Sequence, residues 1–179
     1  MTATAHAEVL RIDWDQYHRL IERLAVQVYE SGYRFDSLLC LARGGMRVGD
    51  VFSRLFKVPL AVLAASSYRD DAGTHQGKLD IAHYITSTGG PLRGKLLLVD
   101  DMVDSGNTIT RVRALLQDRY PEIGEIRTAV IWYKSISSVA PEYFVQNLPH
   151  NPWIIQPFEA YDRLTPADLQ GAAADPGTR

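Results

Sequence analysis

The chain has 179 residues and a formal net charge of −2, with 46% hydrophobic and 22% charged residues. This composition is typical of a globular protein that buries its core without metal or disulfide cross-links. The sequence contains no apolar stretch of about 18 residues, the length that can cross a membrane, and no run of Lys and Arg of the kind that marks a nucleic-acid-binding face. The single cysteine, Cys40, cannot form an internal disulfide. We therefore expect a cytoplasmic protein that binds neither nucleic acid nor membrane.

A helix is predicted to begin after Asp13, because Asp13 and Gln16 have the spacing of a capping box. Apolar residues then recur at helical spacing as far as Val28. Beyond this helix, short apolar runs alternate with an amphipathic segment. They predict a strand at residues 37–42, a helix at 47–56 and a strand at 60–65.

The second half of the chain continues the alternation after a polar stretch, residues 66–80, which contains Gly73 and Gly77. It predicts a strand at 96–99, a helix at 108–120 and a strand at 128–133. All-apolar strands that alternate with amphipathic helices favour an α/β fold, with a mostly parallel twisted sheet flanked by helices. We expect a single domain over residues 9–162, with flexible tails at 1–8 and 165–179, which are small, polar and rich in Pro and Gly.

The run LLLVDDMVDSGNT, residues 96–108, combines an apolar strand, two acids and a loop of small residues that opens a helix. A ligand binds at the carboxyl ends of parallel strands, and a helix N-terminus of this kind attracts phosphate. Gly106 permits close approach of the backbone to a phosphate, and Ser105 and Thr108 add hydroxyl donors. Asp100 and Asp101 are acceptors suited to sugar hydroxyls or hydrated Mg²⁺. The alternative is that the loop residues, with Thr108, only cap the helix, while Asp100 and Asp101 are solvated residues at the end of the strand.

Over these residues the sequence resembles the type I phosphoribosyltransferases, whose phosphoribosyl pyrophosphate motif matches at every position. The resemblance implies that Asp100 and Asp101 hold the ribose hydroxyls. It assigns the 5′-phosphate to Asp104, Ser105, Gly106, Asn107 and Thr108. It also implies Mg²⁺ as cofactor, with Asp101 a candidate ligand, and a dimer or tetramer. A small hood would come from the N-terminal part and residues of about 134–160.

Two loops fit the same family. Arg43 and Gly44 follow the first predicted strand, where the family binds pyrophosphate and often has a non-proline cis peptide, here Ala42–Arg43. The polar stretch beginning with Ser66 corresponds to a mobile loop that closes over the reacting centre. This loop would include Ser67, Tyr68 and Lys78, and either Arg69 or Lys78 would reach the pyrophosphate.

Residues near the C-terminus resemble the 6-oxopurine branch of the family, and the run WIIQPFE is most like its bacterial xanthine-guanine and hypoxanthine-guanine members. By this resemblance Lys134 donates to the purine O6 and Trp153 stacks on the base, with Ile154 beside it. Glu159 stands where the branch has Asp, so its part in metal coordination is open.

The expected activity is transfer of the phosphoribosyl group to guanine, xanthine or hypoxanthine, with Asp104 accepting the proton from the base. Which of these bases is preferred is left open. The alternatives are an enzyme for adenine or orotate, which shares the phosphate motif, and a regulatory protein on the same fold.

Overall fold

The computed structural model of the protein describes residues 9–67, 79–149 and 151–173. In these ranges the helices are α1 (Trp14–Glu30), α2 (Met46–Phe56), α3 (Asn107–Arg119) and α4 (Pro166–Ala173), with a 3₁₀ helix at Glu159–Asp162. The strands are β1 (Val9–Arg11), β2 (Ser37–Ala42), β3 (Leu60–Ser67), β4 (Leu79–Ile81), β5 (Thr86–Ser87), β6 (Gly94–Val103), β7 (Ile123–Lys134), β8 (Tyr143–Leu148) and β9 (Trp153–Ile155). None of the helices described is long and apolar enough to cross a membrane.

The chain divides into two compact units, and the larger comprises Leu20–Asn151. Its sheet has seven strands in the order β4-β3-β2-β6-β7-β8, with β5 also paired to β3. Every pair from β3 to β8 along this order is parallel, whereas β4 and β5 run antiparallel to β3. The predicted α/β class with a mostly parallel sheet is confirmed.

The centre of this sheet is apolar on both faces, as a covered parallel sheet requires. Leu38 to Leu41 of β2 and Leu96 to Val99 of β6 are buried. Ile109, Val112 and Leu116 of α3 join the same core cluster as Leu96 and Leu98. Each such side chain contributes roughly 1.5–3 kcal/mol when fully buried. The core therefore fixes the strand that leads into Asp100 and the helix that follows Gly106.

Two strands are longer than their apolar runs. The pairing of β6 with β7 continues past Asp100 to Val103, which lies opposite Tyr133, and β7 begins at Ile123 rather than at 128. Asp is depleted in strands, and charged residues interrupt the apolar pattern of β7, so the sequence alone ended both strands early. The acids of the motif thus lie on a strand and not in a loop.

Both ends of the predicted loop at residues 66–80 lie on strands. Ser66 and Ser67 belong to β3, where Ser67 lies opposite Leu79 of β4. Assigning Ser67 to the loop was therefore wrong, because polar side chains in an antiparallel pair do not break the backbone ladder. Tyr68, Arg69 and Lys78 lie outside the described residues.

The smaller unit contains the described residues up to Arg19 and from Pro152 onward. In it β1 pairs with β9 in parallel, so that Leu10 lies opposite Ile154. The predicted capping box is present: Asp13 N–H donates to Gln16 Oε1 at 3.0 Å, and Gln16 N–H donates to Asp13 Oδ1 at 2.7 Å. The hood stays a prediction, and residues 134–151 belong to the larger unit.

The expected flexible tail is helical over Pro166–Ala173, which form α4. Thr165 N–H and Oγ1 donate to Asp168 Oδ2 at 2.8 and 2.7 Å, and Pro166 occupies the first helical position, where proline is favoured. These hydrogen bonds lower the pKa of Asp168. This helix start was overlooked among small residues; it is half of a capping box, since Asp168 N–H donates to the backbone O of Thr165 and not to its side chain. Residues 174–179 lie outside the described residues.

Candidate active site

The loop after β2 packs against the two acids of β6. The Ala42–Arg43 peptide is cis, as expected. A Cβ atom at Gly44 would lie 2.5 Å from Asp101 Oδ1, and one at Gly45 would lie 2.6 Å from Val99 O. Both distances are shorter than a carbon–oxygen contact allows. Glycine is therefore needed at both positions if this loop is to lie against Asp100 and Asp101.

The two carboxylates of Asp100 and Asp101 are each tied to the backbone. Asp101 N–H donates to Asp100 Oδ1 at 2.9 Å, and Met102 N–H donates to Asp101 Oδ1 at 2.8 Å. Burial, and then the negative charge of Asp101, raise the pKa of Asp100 well above its usual value. Two crowded carboxylates at a strand end are suited to accept hydrogen bonds from vicinal hydroxyls or to bind a cation.

The loop at the start of α3 has the form expected of a phosphate site. Gly106 has φ 85° and precedes the first residue of α3, so Asp104 is not the N-cap residue. The N–H groups and positive dipole end of a 13-residue helix therefore face this loop. A phosphate bound here needs no side-chain cation.

A turn at Ser137 and Ser138 holds this loop. Ser105 O accepts hydrogen bonds from Ser138 N–H at 3.1 Å and from Ser138 Oγ at 3.0 Å. A Cβ at Gly106 would lie 2.6 Å from Ser137 Oγ. Sequence reasoning did not identify these serines. The available signal was the run SISS, residues 135–138, which follows Lys134.

Lys134 and Asp104 lie next to each other. Lys134 Nζ is 3.3 Å from Asp104 Oδ1, and the two side chains are 9% and 31% exposed. Lys134 Nζ also donates to Asn151 Oδ1 at 2.6 Å. A nearly buried ammonium needs such partners, because an unpaired charge in an apolar environment is costly. The structure thus brings the candidate for base recognition to the candidate proton acceptor, and it adds Asn151, which sequence reasoning missed.

The predicted site residues are divided between the two units. Those of the larger unit are Arg43, Gly44, Asp100, Asp101, Asp104, Ser105, Gly106, Asn107, Thr108 and Lys134. Trp153, Ile154 and Glu159 belong to the smaller unit. There the Trp153 side chain is 54% exposed and Ile154 is buried. Glu159 Oε1 accepts a hydrogen bond from Gln156 N–H at 3.2 Å.

A metal site made by the protein alone is not found in the described ranges, which contain no group of three or more His, Cys, Asp or Glu side chains able to hold an ion.

The larger unit combines a mostly parallel α/β sheet with paired carboxylates on β6 and a glycine-containing loop at the N-terminus of α3, an arrangement that suits a phosphorylated sugar. Residues 13–163 match the family described as the phosphoribosyl transferase domain, and the chain belongs to this family. The resemblance seen in the motif is confirmed.

Individual relatives support membership of the same family. The chain is 26% identical over 160 residues to the xanthine-guanine phosphoribosyltransferase of Nitratidesulfovibrio vulgaris (strain DP4), a match that covers 89% of this chain and 90% of the relative. The solved purine phosphoribosyltransferase of Pyrococcus horikoshii Ot3 is 27% identical, with a TM-score of 0.69 over 84% of this chain and 93% of that one. The xanthine-guanine-hypoxanthine phosphoribosyltransferase of Helicobacter pylori has a TM-score of 0.67 over 94% of this chain and 100% of that one; at 22% identity it supports the fold alone.

Proposed function

We propose that this protein transfers the 5-phosphoribosyl group from phosphoribosyl pyrophosphate to a 6-oxopurine, releasing pyrophosphate and a nucleoside monophosphate. The observation that carries the proposal is the buried ammonium of Lys134, 3.3 Å from Asp104. Lys134 can donate to a carbonyl oxygen and Asp104 can accept a proton. Asp104 is also the first residue of the Asp104–Thr108 loop. The name of the Nitratidesulfovibrio vulgaris relative supports 6-oxopurines, and that of the Pyrococcus horikoshii relative supports a purine.

The sugar and its phosphates are assigned to the larger unit. Asp100 and Asp101 accept hydrogen bonds from the ribose hydroxyls, and the loop at Gly106 receives the 5′-phosphate at the N-terminus of α3. The Arg43–Gly45 loop, which packs against the acids, receives the pyrophosphate with the Arg43 guanidinium and backbone N–H groups. Holding both ends of the substrate fixes C1 for attack.

The site suits Mg²⁺ because it offers carboxylate oxygens as ligands. Mg²⁺ is usually bound by one or two carboxylates together with substrate phosphates, and the crowded pair at Asp100 and Asp101 supplies such carboxylates. Burial, and then repulsion by the charge of Asp101, raise the pKa of Asp100, and a cation would relieve the repulsion. When bound, Mg²⁺ would neutralise charge on the departing pyrophosphate. Asp101 is the proposed ligand. The part of Glu159, whose Oε1 accepts a hydrogen bond from Gln156 N–H, stays a prediction.

Base recognition is assigned to Lys134, which donates to the O6 atom, and Asp104 accepts the proton that leaves the purine ring. Trp153, exposed on β9, offers a flat face for stacking, and its role and that of Ile154 stay predictions. Closure of a loop that contains Tyr68 and Lys78 is likewise a prediction, as are a dimer or tetramer and a cytoplasmic location.

Base preference is the first testable consequence. Lys134 can only donate, so it suits a 6-oxo group and leaves a 6-amino group without an acceptor. An unpaired buried donor costs about 1–3 kcal/mol, so kcat/KM should favour 6-oxopurines over adenine by at least about tenfold. Pyrophosphate release with guanine, hypoxanthine, xanthine, adenine and orotate measures this.

The control for base preference is Lys134→Met, which should reduce the preference by removing the donor. Equal turnover of adenine by the wild-type protein, or turnover of orotate alone, would contradict the assignment of the base.

A further inference from the structure

The ammonium of Lys134 has a second partner that the proposed function does not use. Its hydrogen bond to Asn151 Oδ1, at 2.6 Å, is shorter than its 3.3 Å separation from Asp104 Oδ1. We infer that Asn151 is a positioning residue that holds the Lys134 ammonium for the C6 oxygen of the base and thereby sets selectivity for 6-oxopurines. The inference rests on the proposed function.

The number of donors on Lys134 supports this role. An ammonium has three N–H groups and no acceptor. Asp104 and Asn151 engage two of them, and the third can point to a substrate oxygen. Two fixed partners define the direction of the third N–H group, because the three are arranged tetrahedrally around Nζ. With one partner alone, the ammonium could rotate about that contact.

The flexibility of lysine is the reason that a second anchor is needed. The side chain has a flexible four-carbon stem, and ordering it has a cost in rotamer entropy. Without Asn151 the ammonium keeps Asp104 as a partner and is drawn toward this carboxylate. Its contact with the base would then have to be made at the expense of that ion pair.

The amide of Asn151 is suited to this task because it is uncharged. A carboxylate at the same place would give the ammonium two negatively charged partners. The ammonium would then be fully neutralised before the base arrived, and its attraction for the O6 atom would weaken. A neutral acceptor fixes Lys134 and leaves most of its charge for Asp104 and the base. Asn151→Ala and Asn151→Asp therefore test separate parts of the inference.

The kinetic test compares these variants. Asn151→Ala should raise KM for guanine about fivefold to tenfold, with kcat and KM for phosphoribosyl pyrophosphate within about twofold, since a binding contact common to ground and transition states is lost. Asn151→Asp should raise KM for guanine at least as much. In a Lys134→Met background, Asn151→Ala should change KM for guanine by less than about twofold, because its effect passes through Lys134.

The matched control is Asn147→Ala. Asn147 Oδ1 also accepts a side-chain hydrogen bond of 2.6 Å, from Ser135 Oγ, the residue after Lys134. Asn147→Ala therefore removes a comparable side-chain amide and leaves the hydrogen bond between Lys134 and Asn151 in place. KM for guanine should stay within about twofold of wild type in this control.

A readout that does not depend on turnover separates this inference from the proposed function. The chain has four lysines, Lys57, Lys78, Lys95 and Lys134, so lysine-labelled protein gives few ε-methylene NMR signals, and Lys134→Met assigns the one of interest. A held ammonium gives two distinct ε-proton shifts. These should merge toward one in Asn151→Ala and stay distinct in Asn147→Ala.

Several results would overturn the inference. They are unchanged Lys134 signals in Asn151→Ala, an unchanged KM for guanine, or an equal loss in the Lys134→Met background. If the wild-type protein turns over no 6-oxopurine, the proposed function fails. In that case the NMR comparison still decides whether Asn151 positions Lys134.

Discussion

Replacing Asp104 by Asn is expected to lower kcat at least about thirtyfold, because general base catalysis typically contributes about 10²–10⁴-fold to the rate. Joining a purine to ribose requires that a proton leave the ring, and Asn cannot accept it. The Asp104 carboxylate lies 3.3 Å from the ammonium that we assign to the same base, so it is placed to receive this proton. Steady-state pyrophosphate release measures the loss.

Stability and substrate binding should survive this substitution. Asn keeps an oxygen that can accept from Lys134, and Lys134 retains Asn151 as a partner. Since α3 begins after Gly106, no helix cap is lost. The melting temperature should fall by only a few degrees. Asp118→Asn, which removes an exposed charge from α3, is the control. If kcat of Asp104→Asn stayed within about threefold of wild type, Asp104 would not be the base.

The double variant Asp100→Ala and Asp101→Ala is expected to weaken binding of phosphoribosyl pyrophosphate about a hundredfold. Hydrogen bonds to charged groups contribute about 1.5–3 kcal/mol each, and one or two of them would be lost. The Arg43–Gly45 loop lies against the same carboxylates, since a Cβ atom at Gly44 would lie 2.5 Å from Asp101 Oδ1, so its position would change as well. Titration calorimetry in the presence of Mg²⁺ measures the affinity, and an unchanged affinity would disprove the assignment of the ribose.

The fold should tolerate loss of the carboxylate charges at Asp100 and Asp101, and the variant Asp100→Asn tests this expectation. Burial and the charge of Asp101 raise the pKa of Asp100. A carboxyl group with a raised pKa holds its proton more tightly in the folded state, so stability is lost as pH rises through that pKa. Asp100→Asn keeps an acceptor for Asp101 N–H and removes this charge. The ligand-free variant should therefore melt at or above the wild-type temperature near neutral pH, with the difference disappearing at about pH 4.

The elements fixed by local patterns could be predicted from the sequence. The capping box at Asp13, the apolar strand at residues 37–42 and the Asp104–Thr108 loop each combine residues whose structure depends on near neighbours. The phosphate motif is local in the same sense, since its strand, loop and helix are contiguous. It therefore identified the family.

The contacts that complete the site are not local, and they could not be predicted. Lys134 meets Asn151 across 17 positions of sequence, and Ser138 meets Ser105 across 33. Neither pair has a spacing that marks it in advance. The extension of β6 through Asp100 and Asp101 depends on pairing with β7, which overrides the low strand propensity of Asp. Tertiary pairing thus determined what single-sequence patterns left out.

The most direct test of the central claim is to identify the products formed from phosphoribosyl pyrophosphate and guanine with Mg²⁺ present. We expect equimolar pyrophosphate and guanosine monophosphate, formed only when both substrates are present. Mass spectrometry identifies the two products. Binding of phosphoribosyl pyrophosphate without release of pyrophosphate in the presence of any base would contradict it and indicate a regulatory protein. Release of pyrophosphate without a nucleotide product would contradict it as well, because the ribosyl group would then pass to water.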